Sequence, residues 1–320
     1  MNELPDLSVV ILNWNGREML RNLLRSIQTS GDQLSVQTIV SDNASTDGSA
    51  DMVAAEFSAV TLVRNATNLG FARGNNAGAA AATGRNLLFL NNDTIVRPEA
   101  FAKLVAYLDA HPEHSAVGPK LIGGDGKPQR AGRALLTFPA LLYRISFLKI
   151  TGLFTKAYKQ YRSGGFDPNV AGVVGQLDGA ALLVRRDQFQ QIGGWDEGFE
   201  FGGEDIDLCK RLAAFGPIYY LPTAEIEHLG RISSRANRPF TYRTYECGYA
   251  RYVGKHYGVG KARLYKLLVT LDMPLRVGKA LVQTVFHRLL GQTEKADRSR
   301  SVLVAASSFW LTGLPRFWRS

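Results

Sequence analysis

Cysteine is scarce in this chain: Cys209 and Cys247 are the only two among 320 residues. Two isolated thiols cannot build a disulfide framework or a cysteine-rich zinc site, and their rarity suits a reducing compartment. Long apolar runs are missing as well, since none reaches the roughly 18 residues that a membrane-crossing helix needs. The start, Met1-Asn-Glu-Leu-Pro-Asp6, is acidic and leads at once into an apolar segment. No signal peptide is therefore expected, and the chain reads as cytoplasmic. Internal repeats and low-complexity segments are also absent. Acidic residues are scarce in one region only. Residues 229–320 hold 17 Lys+Arg against 4 Asp+Glu, whereas residues 1–228 hold 21 against 24. The net charge of +10 thus resides in the C-terminal part. Such an asymmetry points to an anionic membrane or to nucleic acid.

What is present suits a full globular core, with 45% hydrophobic residues spread over the chain. Leu7-Ser-Val-Val-Ile-Leu12 reads as a buried strand, and Met19, Leu20, Leu23, Leu24 and Ile27 follow at helical spacing. Thr38-Ile-Val-Ser41 and Val60-Thr-Leu-Val63 read as further strands, separated by a capped helix through Val53 and Phe57. A Gly/Asn-rich segment, Asn68 to Asn76, leads into an alanine-rich helix, and Leu87-Leu-Phe-Leu90 is the fourth strand. The next helix is expected to start at Pro98 and stop at His111-Pro112. Strand–helix alternation of this kind predicts an α/β fold with a doubly wound, mainly parallel sheet flanked by helices. After Val117 the rhythm breaks. Gly123-Gly-Asp-Gly126 reads as a turn, residues 134–162 as an irregular basic and aromatic stretch, and Gly179 to Arg185 as a strand.

Two concentrations of polar residues interrupt the apolar pattern. The first is Asn91-Asn-Asp93, at the mouth of the fourth strand. Open α/β sheets bind ligands just past the carboxyl ends of their strands, and a carboxylate there can hold a divalent cation that in turn holds a diphosphate. The second is Glu204-Asp-Ile-Asp207, preceded by Gly202-Gly203, at the start of a helix. Acids sit favourably at a helix N-terminus, and Asp207 is placed to pair with Arg211 one turn on. The double glycine allows a close approach of backbone or ligand.

Taken together, Ser8 to Asn15, Asp42-Asn-Ala-Ser-Thr-Asp47, Asn68-Leu-Gly-Phe71, Asn91-Asn-Asp93 and Gly203 to Arg211 resemble the family 2 inverting glycosyltransferases. The similarity is greatest to the rhamnosyltransferase-like branch of cell-envelope polysaccharide assembly, and it covers roughly residues 7 to 230. The resemblance implies a GT-A fold, with a nucleotide-binding half over 1–115 and an acceptor half over 116–230. Residues 231–320 would form a basic, helical, amphipathic tail.

The resemblance also implies roles for particular residues. Leu12 and Trp14 would flank the base, Asp42 would hydrogen-bond its edge, and Arg73 would lie near the nucleotide. Asp93 matches the last acid of the family's Asp-x-Asp motif and would bind Mg2+ or Mn2+, with His228 as a further ligand. Asn91 stands where the first acid of that motif usually stands and brings no charge. Asp205 matches the catalytic acid. Trp195, Asp196 and Glu204 would shape the sugar or acceptor pocket. Asp178, before Gly179, could contact the donor sugar. Plain structural readings stand beside these: Asp42 as a loop cap, Trp195 as a packed turn, and Asp178, preferably, as an acid at the start of a strand.

The implied activity is metal-dependent, inverting transfer of a sugar from a nucleoside diphosphate donor, with dTDP-rhamnose as the branch-level choice. The acceptor would be a lipid-linked or envelope polysaccharide. A nucleotidyltransferase would want a glycine- and lysine-rich loop after the first strand, and Asn13-Trp-Asn-Gly16 is not one. A non-catalytic scaffold of the same fold is the other alternative, and Asn91 is its support. In the tail, Leu264, Leu267, Leu268, Leu271 and Leu275 recur at helical spacing among Arg263, Lys266, Arg276 and Lys279. Phe309, Trp310, Phe317 and Trp318 follow. No nucleic-acid recognition motif accompanies this charge. Cationic, aromatic-tipped amphipathic helices suit a bilayer headgroup region, so residues 260–320 are expected to rest on the anionic inner face of the cell membrane.

Overall fold

The apolar runs become strands and the segments between them become helices. The computed structural model describes residues 4–31, 33–162, 166–230 and 237–320. Part of the N-terminal reading (residues 1–3) and the first residues of the expected tail (231–236) lie outside the described residues. The chain begins β1 (Leu7–Asn13), α1 (Arg17–Gln28), β2 (Val36–Asp42), α2 (Ser49–Glu56), β3 (Thr61–Arg64) and α3 (Phe71–Ala80). It continues through β4 (Asn86–Asn91), β5 (Thr94–Val96), α4 (Ala100–Ala110), β6 (Ala116–Gly123) and β7 (Gly132–Arg133). Three short helices follow, α5 (Phe138–Leu142), α6 (Ser146–Ile150) and α7 (Thr155–Arg162). They occupy the stretch expected to be irregular, because helices this short show no readable periodicity. Then come β8 (Gly172–Val174), β9 (Gln176–Leu177), β10 (Ala181–Arg185), α8 (Arg186–Gln191), α9 (Glu204–Leu212) and β11 (Ile218–His228). The chain closes with α10 (Arg238–Tyr257), α11 (Val259–Leu289), α12 (Thr293–Ser308), a π-helical turn (Phe309–Gly313) and α13 (Leu314–Arg319).

These elements form two compact units. The first comprises Met1–Leu135, Ser163–Glu197 and Glu204–Gly230; the second comprises Leu136–Arg162, Gly198–Gly203 and Arg231–Ser320. Residues 136–162 and 198–203, expected within the acceptor half, thus group with the C-terminal helices.

The first unit is built on one sheet in the order β3-β2-β1-β4-β10-β6-β11-β5, with β8 also on β11. Strands β1 to β4 are parallel neighbours. Strand β10 runs against both β4 and β6, so β6 again runs the way β4 does, and β11 runs parallel to β6. The carboxyl ends of β1, β2, β4, β6 and β11 therefore gather at one edge. Leu87, Leu88, Phe89 and Leu90 of β4 are buried on both faces, as a near-continuous apolar run demands in a sheet covered on both sides. Helix α1 buries Leu20, Leu23 and Leu24 on one face.

Two local features differ from expectation. After Asn91 the chain turns and restarts as β5, which pairs antiparallel with β11 in the register His228↔Thr94. Helix α4 begins at Ala100 rather than Pro98, because Glu99 adopts a left-handed conformation with φ 61°.

In the second unit a buried ionic network joins three segments. Glu246, 1% exposed on α10, accepts from Arg276 Nη1 of α11 at 2.9 Å and from Tyr265 Oη at 2.7 Å, and pairs with Arg144 at 3.3 Å. Asp272 accepts from Arg276 Nε at 2.6 Å and from the Ser146 N–H at 2.9 Å, which fixes the start of α6. Burial pushes the Glu246 carboxyl up, but the two guanidinium groups prevail and hold it below its ordinary value. Removing one member of such a cluster leaves buried charge uncompensated. Glu246→Ala is expected to lower stability by about 3 kcal/mol or more in denaturant unfolding, whereas Glu294→Ala, on the exposed start of α12, leaves the midpoint unchanged.

Candidate active site

The parallel strands end in two loops that are stitched together by side chains. Asp42, at the end of β2 and 3% exposed, accepts from Asn13 Nδ2 at 3.0 Å, from Ser45 Oγ at 2.6 Å and from the Ser45 N–H at 2.9 Å. The Asn15 N–H donates to Ser45 Oγ at 2.9 Å, and the Thr46 N–H donates to Asn15 Oδ1 at 2.7 Å. Asn15 and Ala44 both take left-handed backbone, with φ 51° and 55°. Side chains at positive φ are uncommon and persist where surrounding bonds over-determine them. Asp42 therefore organises the two loops through both its oxygens. Trp14, carried on the first loop, is 56% exposed, while the half-buried Leu12 lies against Gly74 of α3.

A second set of amides ties in α3. Asn43 Nδ2 donates to Asn68 Oδ1 and to the Gly70 carbonyl, and Asn65 Nδ2 donates to Asn43 Oδ1. The sequence motif Asn68-Leu-Gly-Phe71 is thus the junction where β2, β3 and α3 meet. Arg73, on α3, is exposed and pairs with Glu197 at 3.4 Å.

The β4–β5 turn holds the first acid. Asn91 is half-buried and fixed through its backbone, with its N–H donating to the Ala180 carbonyl at 3.0 Å. Asn92 donates to Asn13 Oδ1 at 2.7 Å, which links this turn to the Asp42 loops. Pairing of β5 with β11 brings His228 to Asp93, with Nε2 3.5 Å from Oδ1. His228 Nδ1 contacts Gln129 Oε1 at 2.8 Å, and Gln129 Nε2 donates to the His228 carbonyl at 2.8 Å. Because the amide orientation is fixed by that second bond, Oε1 accepts and Nδ1 must carry the proton. In the neutral ring the Nε2 lone pair then faces Asp93. Two donors bound to one cation at about 2.1 Å each lie about 3.0–3.5 Å apart. The observed separation fits a shared divalent ion, and Gln129 is the kind of partner that fixes a liganding imidazole.

The second acid cluster divides its labour. Asp207 is fully buried and accepts from Arg211 Nε at 2.7 Å. Arg211 in turn donates to the Ile192 and Gly194 carbonyls at 3.0 and 2.6 Å. Asp207 is therefore structural, holding the turn before Trp195. Asn76 clamps Trp195 from α3, its Oδ1 accepting from the Trp195 N–H at 3.0 Å and its Nδ2 donating to the Trp195 carbonyl at 2.9 Å. Trp195 is 1% exposed and stands edge-on to Phe71 and Phe89, with ring centroids 5.3 and 5.1 Å away. It packs as a core residue of this turn. Asp196 is half-buried and Glu204 buried.

Asp205 is the half-buried acid at the start of α9. Burial first, and the neighbouring Asp178 charge second, push its carboxyl up to about 6, against the pull of the Ile206 N–H and Arg133. Gly179 leaves room here, since a side chain at that position would meet Asp205, Phe71 and Trp195 at 3.6–3.9 Å. Arg133, Asn76 and Gln129 are the residues of this region that the sequence did not single out. They act across strand pairings that no local pattern reveals.

Residues 8–165 match the model of glycosyl transferase family 2, and residues 174–235 match a model described as the N-terminal domain of galactosyltransferase. The chain is 30% identical over 240 residues to the N-acetylglucosaminyl-diphospho-decaprenol L-rhamnosyltransferase of Mycobacterium tuberculosis, covering 69% of this chain and 75% of that one. It is 26% identical over 152 residues to the rhamnosyltransferase WbbL of Escherichia coli, covering 47% of this chain and 54% of that protein. Among solved structures, a mannosyltransferase from Pyrobaculum calidifontis in complex with GDP-Man and Mn2+ is similar over 97% of this chain and 88% of its own, with TM-score 0.56 and 15% identity. GalNAc-T7 with UDP, GalNAc and Mn2+ is similar over 78% of this chain and 48% of its own, with TM-score 0.56 and 18% identity. These likenesses confirm the GT-A fold, and with the sequence match they establish that the chain is a glycosyltransferase belonging to family 2.

Proposed function

We propose that this enzyme transfers a sugar with inversion to a lipid-linked or cell-envelope glycan, the sugar being L-rhamnose, as two relatives named rhamnosyltransferases support, and the donor dTDP-rhamnose. The observation that carries it is Asp205, a half-buried carboxyl raised to about 6 at the start of α9. A carboxylate with that value is a far better proton acceptor near neutrality than an ordinary one. It takes the proton of an acceptor hydroxyl as that oxygen attacks the anomeric carbon. The bond from that carbon to the diphosphate breaks, and its electron pair leaves with the nucleoside diphosphate. Burial and Asp178 keep Asp205 basic, and Asp196 and Glu204 are assigned to the surrounding sugar and acceptor pocket, with Trp195 packed in the core of the adjoining turn. Leu12, Trp14, Asp42, Arg73 and Asn91 receive the nucleotide. The exposed ring of Trp14 suits stacking on a base, and the amide of Asn91 suits a ribose hydroxyl.

Asp93 and His228 would hold the divalent cation, Mg2+ or Mn2+. When bound, such an ion stabilises the charge that gathers on a departing diphosphate. Asn91 adds no charge there, so His228, oriented by Gln129, is the second ligand on which affinity depends. For the acceptor, the support is the Mycobacterium relative, named for a decaprenol-linked diphosphate substrate. Among the described residues no helix is long and apolar enough to cross a membrane. Helix α11 instead exposes Leu264, Leu267, Leu271, Leu275, Val282, Phe286 and Leu289 in one stripe, beside exposed Arg263, Lys279 and Arg288. That stripe, with Trp310 and Trp318 of the last segments, supports peripheral binding to an anionic membrane at its inner face.

Three outcomes at the base test the reading, and two more test the metal and the membrane. The base must be ionised to act, so kcat/KM is expected to fall as pH drops through about 6. Asp205→Asn should lower kcat by roughly 100-fold or more, and Asp178→Asn should move the acid limb to lower pH by removing a like charge. Nucleoside diphosphate release from dTDP-rhamnose measures all three, and full turnover in Asp205→Asn would sink the assignment. Gln129→Leu should weaken Mn2+ binding by roughly 10–100-fold, as seen by electron paramagnetic resonance titration, while the protein stays folded. Leu267→Glu with Leu271→Glu should abolish co-flotation with vesicles containing phosphatidylglycerol. Undiminished flotation would remove the membrane from the picture.

A further inference from the structure

The loop between α4 and β6 carries His111-Pro-Glu-His114, a segment that the activity does not use. It lies at the amino end of β6, whereas His228 pairs with Gly123 at the carboxyl end. Eight strand residues, or about 25 Å, separate the two ends. Glu113 Oε1 is 3.0 Å from His111 Nδ1 and 3.8 Å from His114 Nδ1, and the three ligand atoms all lie within 4.8 Å of one another. A zinc-class ion bound at about 2.0–2.2 Å holds neighbouring donors about 3.3–3.6 Å apart at tetrahedral angles, and the observed distances straddle that range.

The surroundings hold these groups in place. The Tyr107 ring lies over His111 at 4.4 Å and beside Tyr219 at 4.5 Å, and Tyr219 in turn flanks His114 at 5.2 Å. Tyr107 Oη is 3.0 Å from His114 Nδ1. The loop backbone is pinned from below. Arg185 donates to the carbonyls of Leu108, His111 and His114, and Ser115 bonds to Pro217 and Gly216. A side chain at Gly216 would strike the Glu113 carbonyl, so the approach of the two loops requires glycine there. Access is open, with His111 and Glu113 at 41% and 59% side-chain exposure.

We infer that His111, Glu113 and His114 form a second metal site, selective for a transition ion of the zinc class and separate from the Asp93–His228 pair. Two imidazoles and one carboxylate suit Zn2+, Co2+ or Ni2+ better than Mg2+, which prefers oxygen ligands and keeps its water. Binding moves the Nδ1 proton of His111 to Nε2 of the same ring and replaces the Tyr107–His114 hydrogen bond with a metal bond. Arg185 is the neighbouring positive charge that opposes it, and its guanidinium is already committed to three carbonyls.

The test uses the full-length Asp93→Asn/His228→Asn protein, which lacks the active-site ligands. Titrated with Zn2+ alone, it is expected to bind one equivalent in isothermal calorimetry and to show the absorption of a tetrahedral ion with Co2+. Adding His111→Asn or Glu113→Gln, both at exposed positions, should weaken binding by roughly tenfold or more. Each of these two substitutions alone, in the otherwise unchanged enzyme, should leave Mn2+-supported turnover intact. No Zn2+ uptake by the active-site double variant, or uptake unaffected by His111→Asn and Glu113→Gln, overturns the assignment.

Discussion

Strand β4 is hydrogen-bonded on both sides, by β1 and by β10, along nearly its whole length. A strand held by two ladders cannot shift in register or bend aside, so its last residues are delivered to a fixed point at the sheet edge. Everything polar at that edge is arranged around this constraint. Asn92 reaches Asn13, Asn13 reaches Asp42, and the loops carrying Trp14 and Ser45 follow. On the other side, the turn after Asn91 lets β5 reach β11, which carries His228 to Asp93. The desolvation that burying these amides and carboxylates requires is offset because nearly every one finds a partner.

The reversed strand β10 has a comparable effect on the acceptor side. By running against β4 and β6 it restores the direction of β6 and β11, so residues far apart in the chain share one edge. Its approach through Asp178 and Gly179 puts a carboxylate and an open space beside Asp205. Helix α9 then shows how neighbouring acids take different work. Asp207 pairs with Arg211 and so holds the Ile192–Gly194 turn, while the carboxyl of Asp205 beside it is pushed up by burial.

Much of this was legible in the sequence because local chemistry decides it. The apolar runs at 7–12 and 87–90 can only be buried strands, and Asp93 and Asp205 interrupt the pattern where a core cannot tolerate them without purpose. The pairing of Asp207 with Arg211 follows from helical spacing alone. The short helices over 138–162 were not legible, since five to eight residues give too few turns for a period to show. Gln129, Asn76 and Arg133 were not legible either. Gln129 meets His228 across 99 residues and Asn76 meets Trp195 across 119, and only the completed sheet brings them together. Trp195 reads equally as pocket or packing until its edge-on contacts with Phe71 and Phe89 are seen.

The raised carboxyl of Asp205 has a consequence for the whole protein. An ordinary aspartate in the unfolded chain releases its proton near pH 4, whereas in the folded chain it holds it until about 6. Between those values the folded form carries the extra proton, so this group favours folding in mild acid and opposes it as pH rises through 6. Acidification that silences the proposed base therefore relieves the burden it places on the fold. The depressed carboxyls of Asp47 and Glu246 act in the opposite sense, withdrawing stability as pH falls.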